Sequence, residues 1–290
     1  MTRAVVSRDA GTVAEQRTYP HGVTCWIDTE QPDLDAAGRF YTGLFGWTLT
    51  DAVPPDAPGS YLIATLDGQD VAALGPATGG TATWNTYVAV DDADATAAAV
   101  PGLGGRVVAP PADAGPGGRA AACADPAGAE FALWQARRRL GAQLTNAPGT
   151  WNFSDLYTPD RNAAMAFYTP LFGWIAADME QGAGTMIQVP GYGDHLAATV
   201  DPGIHERQAG APPGFADVIG GLVVVPPGEP ARWQVTFTVV DRDDSVATAE
   251  RLGATVLRSA DDLWTRNALL RDPQGAEFTV SQFTPPDGDW

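Results

Sequence analysis

Between residues 32 and 47 the apolar positions recur at the spacing of a helix that lies on a core. Asp33 precedes this stretch at the position of a helix N-cap, and Gly46 follows it at the position where helices commonly end. The apolar stripe consists of Leu34, Ala37, Tyr41 and Leu44. Such a stripe predicts a surface helix that packs on a sheet.

The same stretch occurs a second time in the chain. Residues 32–47 read PDLDAAGRFYTGLFGW and residues 159–174 read PDRNAAMAFYTPLFGW, with Asp160 and Gly173 in the cap positions of the second copy. The chain is therefore predicted to consist of two halves with one architecture. The shared FYxxLFGW motif is best explained by core packing and carries no chemistry of its own.

Short segments of alternating polarity surround each helix and predict strands. In the first half the predicted strands are Gly22–Asp28, Trp47–Thr50, Ser60–Thr65, Asp70–Leu74, Trp84–Val90, Arg106–Ala109, Arg119–Cys123 and Glu130–Gln135. In the second half they are Trp151–Tyr157, Trp174–Ala177, Thr185–Val189, His195–Val200, Trp233–Val240, Thr255–Arg258, Asn267–Arg271 and Glu277–Phe283. With further helices from Asp92 and over Ser245–Leu252, the pattern gives four β-α-β-β-β modules in two pairs.

Each half ends on a similar turn and strand, DPAGAEFALWQ in the first and DPQGAEFTVSQ in the second. A Pro/Gly-rich segment, residues 201–230, interrupts the second half and is interpreted as an insertion. Three roles are open for it: a lid over a binding site, a dimer contact, or a decoration without function.

Three features of this chain resemble the vicinal oxygen chelate superfamily. They are an Asp-capped helix ending in FYxxLFGW, a later strand that runs into Val90-Asp91-Asp92 or Val239-Val240-Asp241, and a closing DPxGxxF strand. This superfamily is also named after glyoxalase, bleomycin resistance proteins and extradiol dioxygenases. The resemblance implies an α+β fold with two cupped, barrel-like domains. The predicted organisation is a disordered tail over residues 1–20, a first domain over 21–138, a linker over 139–148 and a second domain over 149–290.

The resemblance also implies where a metal ion would be bound: a His or Gln on the first strand of a module and a Glu on its last strand. Trp26 and Phe153 occupy the first-strand position of modules one and three, and Asn85 and Gln234 that of modules two and four. The Glu position is expected at Ala72, Ala132, Ala197 and Thr279. Because a catalytic metal needs about three protein ligands, we expect no metal and no cofactor. His21, His195 and His205 are interpreted as exposed or capping residues.

Strand periodicity then predicts which side chains face each cup. The first cup is expected to present Trp26, Asp28, Asn85, Tyr87, Glu130 and Trp134. The second cup is expected to present Phe153, Asp155, Tyr157, Gln234, Thr236 and Thr279, together with Thr238, Glu277 and Ser281. Aromatic walls with few polar groups favour a flat, partly apolar ligand. Trp26 and Phe153 are alternatively explained as packing residues that fill the vacated metal position.

Asp28 and Asp155 are equivalent in the repeat and lie among apolar neighbours. Desolvation raises the pKa of a buried carboxyl, so both are candidate catalytic acids or bases. The alternative is that each carboxylate only accepts backbone or indole N–H bonds at the end of its strand.

The chain carries 35 acidic and 17 basic residues, for a net charge of −18. This charge argues against nucleic acid and anionic membrane surfaces as partners. No apolar run approaches the roughly 18 residues of a spanning helix, and residues 1–20 lack the apolar centre of a signal peptide, so a cytoplasmic protein is expected. Cys25 and Cys123 are expected to be small buried hydrophobic residues rather than a disulfide.

Three functions remain open at this point. The first is metal-independent binding of an aromatic or polyketide-type metabolite by a resistance or carrier protein, for which the acidic charge favours a cationic ligand. The second is a metal-free lyase, isomerase or cyclase that uses Asp28 or Asp155 as acid or base. The third is a regulatory or protein-interaction role. Because tandem modules supply the pairing within one chain, a monomer suffices, and a homodimer remains possible.

Overall fold

A computed structural model describes residues 16–179 and 184–285 and places the strands of each half in one eight-stranded sheet. The first domain contains β1 (Thr24–Gln31), α1 (Leu34–Phe45), β2 (Thr48–Asp51), β3 (Leu62–Leu66), β4 (Gln69–Pro76), β5 (Thr83–Ala89), α2 (Ala93–Ala99), a 3-10 helix (Val100–Leu103), β6 (Arg106–Ala114), β7 (Gly118–Ala124) and β8 (Glu130–Ala136). The second contains β9 (Trp151–Thr158), α3 (Arg161–Phe172), β10 (Ile175–Met179), β11 (Gly184–Gln188), α4 (Tyr192–Ala198), α5 (Ile204–Arg207), a 3-10 helix (Phe215–Asp217), β12 (Val218–Val224), β13 (Arg232–Thr238), α6 (Arg242–Arg251), β14 (Thr255–Asp261), β15 (Thr265–Arg271) and β16 (Glu277–Phe283).

Each sheet joins two modules edge to edge through their first strands. The strand order of the first sheet is β2-β3-β4-β1-β5-β8-β7-β6, with β1 parallel to β4 and antiparallel to β5. The second sheet has the equivalent order, β10-β11-β12-β9-β13-β16-β15-β14. The predicted α+β class, with four β-α-β-β-β modules in two cupped domains, is confirmed.

The repeated helices begin and end where the sequence predicts. The Asp33 and Asp160 side chains accept hydrogen bonds from backbone N–H groups of the first helical turn, and Gly46 and Gly173 close α1 and α3 in the left-handed conformation. The glycines are required there because a residue with a Cβ rarely adopts a positive φ.

The core lies between modules of different domains. α1 packs with module four, through rings such as Phe237 and Phe278, and α3 packs with module two. The Tyr41 hydroxyl donates to the closing-turn carboxylate Asp272 of the other domain at 2.8 Å, and Tyr168 does the same to Asp125 at 3.1 Å. The FYxxLFGW and DPxG motifs therefore hold the two domains together.

The predicted last strand of module three is wrong. His195–Val200 lies mostly in α4, and the strand that pairs with β9 is β12, which falls inside the predicted insertion. The true insertion runs from residue 189 to 217. An apolar run with two adjacent glycines, VIGGLVV, can form this strand because Gly220 and Gly221 let β9 approach closely: a Cβ on Gly220 would lie 2.2 Å from the Ser154 carbonyl oxygen.

The N-terminal segment departs from the prediction where it is described. Residues 1–15 of the predicted disordered tail lie outside the described residues, whereas residues 16–20 contact both domains. The Arg17 backbone N–H donates to Gln143 Oε1 at 3.0 Å, and Thr18 Oγ1 lies 3.0 Å from His195 Nε2.

Within the described ranges, no helix has the length and apolarity needed to cross a bilayer. Cys25 and Cys123 are buried free thiols, as predicted.

Candidate functional site

The first cup is organised around Asp28, whose carboxylate is surrounded by donors from its own domain. Tyr61 and Tyr87 donate their hydroxyls to Asp28 Oδ2 at 2.8 and 2.7 Å, and Asn85 donates its amide to Oδ1 at 2.9 Å. The Trp26 indole N–H donates in turn to the Tyr61 hydroxyl at 3.1 Å. Burial raises the pKa of Asp28, and the three donated bonds oppose that rise.

Other residues of the first cup are likewise engaged with their own domain. Trp134 packs edge-on against Tyr87 and donates its indole N–H to the Arg139 carbonyl oxygen. Glu130 is exposed and forms an ion pair with Arg106. The first cup therefore holds a polar network whose groups are hydrogen-bonded to one another.

The second cup lines a half-open cavity of about 1420 Å³. Strand residues with polar and aromatic side chains form its floor: Phe153, Asp155, Tyr157, Gln234, Thr236, Thr238, Thr279 and Ser281. Its walls come from the insertion, the β14–β15 hairpin and the N-terminal segment, and include Arg17, Tyr19, Tyr192, Leu196, Ile204, Phe215, Leu263 and Trp264. Because Val23 and Thr24 of the first domain also line it, the cavity is built by both domains, although its floor belongs to the second.

Asp155 has a different environment from its counterpart in the first domain. One carboxylate oxygen accepts the Gly221 backbone N–H at 2.7 Å. Burial raises the pKa of Asp155 to about 6, and the bonds from Gly221 and the Thr236 hydroxyl oppose the rise. A carboxyl with this pKa changes protonation state close to neutral pH, as a general acid or base must.

Several polar groups around this cavity have no partner among the described residues. The Gln234 side chain is only 4% exposed and makes no hydrogen bond there. Trp151 Nε1, Thr238 Oγ1 and Gln208 Oε1, all on lining residues, are buried without a partner. Because an unpaired buried polar group costs about 1–3 kcal/mol, these groups lower the stability of the fold beside the cavity.

The residues at the metal positions that the sequence resemblance implies do not supply a usual set of metal ligands. The second cup offers Phe153 and Gln234 on the first strands of its modules and Thr279 on a last strand, with Asp155 as the nearby carboxylate. Among the described residues, no three His, Cys, Asp or Glu side chains lie together as a possible ligand set. A site with one carboxylate and one amide falls short of the usual three protein ligands.

Two of the expected last-strand positions require correction. Ala197 lies on α4, so its place in module three is taken by Gly221, the residue beside Asp155. In module one, Ala73 is the register partner of Asp28, so Ala73 faces the cup and Ala72 faces the core. Neither correction introduces a metal ligand.

The structure divides the predicted site residues between the two cups. Asp28, Trp26, Asn85 and Tyr87 share one network, with Trp134 beside them, whereas Glu130 lies apart in an exposed ion pair. The second set, Phe153, Asp155, Tyr157, Gln234, Thr236 and Thr279, lines the cavity. Sequence reasoning missed Tyr61, Gly221 and Arg17. Only Gly221 had a local signal, since paired glycines in an apolar run indicate close approach of two backbones.

Gly221 is expected to hold the Asp155 carboxylate in place. A Cβ at this position would lie 2.7 Å from Asp155 Oδ1, so Gly221→Ala must displace the carboxylate and weaken the bond from the backbone N–H. We expect the pKa of Asp155 to rise further and the protein to lose about 1–3 kcal/mol of stability. Carboxyl titration by NMR and chemical denaturation measure both effects.

The matched control for this variant is Gly79→Ala, because nothing lies within 4 Å of a Cβ built on Gly79. An Asp155 pKa that is the same in Gly221→Ala and in the wild type would show that Gly221 does not position the carboxylate.

Comparison with known proteins connects this architecture to a family. A model of the glyoxalase-like domain matches residues 151–281, and a model of the glyoxalase/bleomycin resistance protein/dioxygenase superfamily matches residues 31–133. The chain is 38% identical over 274 residues to the protein CFP32 of Mycobacterium tuberculosis, covering 92% of this chain and 97% of that protein. It is 36% identical over 279 residues to the anthracycline biosynthesis protein DnrV of Streptomyces peucetius, covering 90% of this chain and 94% of that one.

Solved structures agree on the fold at low sequence identity. The 2,3-dioxygenase LapB of Pseudomonas sp. KL28 superposes with a TM-score of 0.57 at 14% identity, covering 93% of this chain and 96% of that one. The Mn(II)-bound glyoxalase of Novosphingobium aromaticivorans superposes with a TM-score of 0.55 at 16% identity, covering 93% and 86%. Together with the repeated modules and the two cupped sheets, these matches show that the chain belongs to the glyoxalase/bleomycin resistance protein/dioxygenase superfamily.

Proposed function

We propose that the second cup binds a polycyclic aromatic metabolite of polyketide type, without a metal ion, and that the protein acts in natural-product metabolism. The observation that carries this proposal is the cavity of about 1420 Å³ with a polar floor and largely apolar walls. Pockets for drug-sized ligands commonly measure about 300–1,000 Å³, so this one has room for several fused rings with substituents.

The chemistry of the floor supports an aromatic ligand. Phe153 and Tyr157 offer ring faces for stacking, and the guanidinium of Arg232 lies 4.3 Å from the centre of the Tyr157 ring. Gln234 and the threonine hydroxyls can bind the carbonyl and hydroxyl groups that such a metabolite carries. A relative with 36% identity is named for anthracycline biosynthesis, which agrees with this ligand class.

Binding is tested by titrating the protein with anthraquinone-type probes and following calorimetry and tryptophan quenching. Phe153→Ala is expected to weaken binding about ten- to hundredfold, because the ring surface of Phe153 is lost from the floor. Trp26→Phe, at the equivalent position of the first cup, is expected to leave the affinity unchanged. Treatment with a chelator should have no effect. Equal weakening by both variants, or loss of binding with chelator, would overturn the proposal.

A second function, proton transfer in a lyase, isomerase or cyclase reaction, is favoured by one observation. Asp155 faces the cavity with a pKa of about 6, whereas Asp28 is enclosed by three donors. The test uses protein purified from its source organism and identifies any bound metabolite by native mass spectrometry. If Asp155→Asn binds that metabolite but no longer converts it, the protein is an enzyme; if the wild type also leaves it unchanged, binding is its whole function.

A further inference from the structure

Arg17 stands out among the described arginines. It lines the cavity of the second cup, is half-buried, and forms no ion pair with the carboxylates of the described residues, of which Asp201 is close enough to interact with its charge at longer range. Every other half-buried or buried arginine of the described chain forms an ion pair: Arg119, Arg139, Arg161, Arg232, Arg242 and Arg266. The remaining described arginines without an ion pair are exposed.

The position of Arg17 is fixed by the rest of the protein. Its backbone N–H donates to Gln143 Oε1 at 3.0 Å, and its carbonyl oxygen accepts from Gln143 Nε2 at 3.1 Å. Its guanidinium donates to the Tyr192 hydroxyl at 3.3 Å, on α4 of the insertion. A guanidinium held in this way loses little conformational entropy when it binds a ligand.

The charges around the cavity do not follow the charge of the whole chain. The described lining contains as many arginines as acidic residues, although the whole chain has about twice as many acidic as basic residues. The four arginines are Arg17, Arg207, Arg232 and Arg258, and the four acidic residues are Asp155, Asp201, Glu229 and Asp262. Arg207 is paired with Asp201, and Arg232 with Glu229. Asp201, a carboxylate on which the charge of Arg17 acts, is thus paired with Arg207, and Arg17 itself forms no ion pair with a described residue.

A partly desolvated guanidinium without an anion is a costly arrangement unless a ligand supplies the anion. We propose that the ligand of the second cup carries an acidic group, a carboxylate or an ionised phenol, and that Arg17 binds this group. This inference rests on the proposed function, and it adds that the aromatic ligand is an anion recognised by the charge of Arg17. It reverses the expectation of a cationic ligand, which was based on the net charge of the chain alone.

The test compares two probes of the same shape, anthraquinone-2-carboxylate and anthraquinone-2-carboxamide, by calorimetry at pH 7.5 and low salt. We expect the wild type to bind the carboxylate about ten- to hundredfold more tightly than the carboxamide. Arg17→Gln should remove this preference and leave the carboxamide affinity within about threefold, while Arg17→Lys should keep part of it because the charge remains. The melting temperature of each variant confirms that it is folded.

Arg138→Gln is the matched control. Arg138 is exposed, has no ion pair among the described residues and lies outside the cavity lining, so its loss changes the net charge by the same amount. Equal affinity of the wild type for both probes would overturn the role of Arg17 and leave aromatic binding intact, as would equal effects of the two Gln variants. If neither probe binds, the proposed function itself fails, and the inference fails with it.

Discussion

Asp155→Asn is expected to raise the free energy of unfolding at pH 7.5 by about 2–3 kcal/mol. Burial lifts the pKa of Asp155 from 3.8 to about 6, so the folded protein holds an ionised carboxylate at pH 7.5 only at a cost. One pKa unit corresponds to about 1.4 kcal/mol, and an asparagine avoids this cost because it has no charge to desolvate.

The sign of the pH dependence follows from the same shift. Between pH 3.8 and about 6 the folded state retains the Asp155 proton that the unfolded state has lost. This contribution to stability is therefore full below pH 3.8 and is lost as the pH rises to about 6. Chemical denaturation across this window should show that stability falls less steeply with pH in Asp155→Asn than in the wild type.

The equivalent change in the first domain is expected to have the opposite sign. Asp28 accepts bonds from Tyr61, Asn85 and Tyr87, and an amide nitrogen at one oxygen position cannot accept them. Asp28→Asn should therefore destabilise the protein by about 1–3 kcal/mol at pH 7.5. If both variants destabilise equally, Asp155 is a structural carboxylate like Asp28, and its assignment to the functional site fails.

This contrast also explains how far the sequence could predict the site. Asp28 and Asp155 occupy equivalent places in the repeat. The alternation of side-chain direction along a strand was sufficient to predict that both face a cup. The two carboxylates differ in the groups that donate hydrogen bonds to them. The Tyr61 hydroxyl comes from the residue just before β3, which is two strands away from β1 in the sheet, and the Gly221 N–H comes from β12, which the sequence pattern does not predict. Such long-range partners leave no periodic signal at the aspartate itself.

The elements with local signals were predicted well. The N-caps Asp33 and Asp160 and the left-handed Gly46 and Gly173 act within one helical turn, so a short stretch of sequence identifies them. β12 had only an ambiguous signal, because a glycine pair inside an apolar run indicates close approach of two backbones but is compatible with a loop as well as a strand. The segment His195–Val200 contains apolar residues suited to either a strand or a short helix, and its packing in the insertion selected the helix.

Arg17 was missed for a different reason. Residues 1–20 lack a continuous apolar stretch and therefore predict a tail, and nothing in them indicates that residues 16–20 contact both domains. The segment is held by Gln143 and Tyr192, which are 126 and 175 positions away. Contacts over such sequence distances follow from the assembly of the two domains, and they place a charged residue in a cavity that neither domain forms alone.

The second large effect is expected from Asp272, the carboxylate that joins the two domains. Its Oδ1 accepts the backbone N–H groups of Gln274, Gly275 and Ala276, and its Oδ2 accepts bonds from Gln31 and Tyr41 of the first domain. Asp272→Ala leaves these buried donors unpaired and should lower the free energy of unfolding by about 3–5 kcal/mol. Chemical denaturation followed by circular dichroism measures the loss.

Two controls separate the roles of this carboxylate. Asp92→Ala removes an exposed N-cap of α2 and should cost only about 1 kcal/mol. Tyr41→Phe removes one donor to Asp272 and the acceptor of the Trp84 indole N–H, but it keeps the ring that packs against Trp47 and Phe278. Its cost should be about 2 kcal/mol, below that of Asp272→Ala, because Asp272 retains its other partners. If Asp272→Ala costs no more than Asp92→Ala, the domains are held by apolar packing alone, and the pairing of the FYxxLFGW and DPxG motifs contributes little to stability.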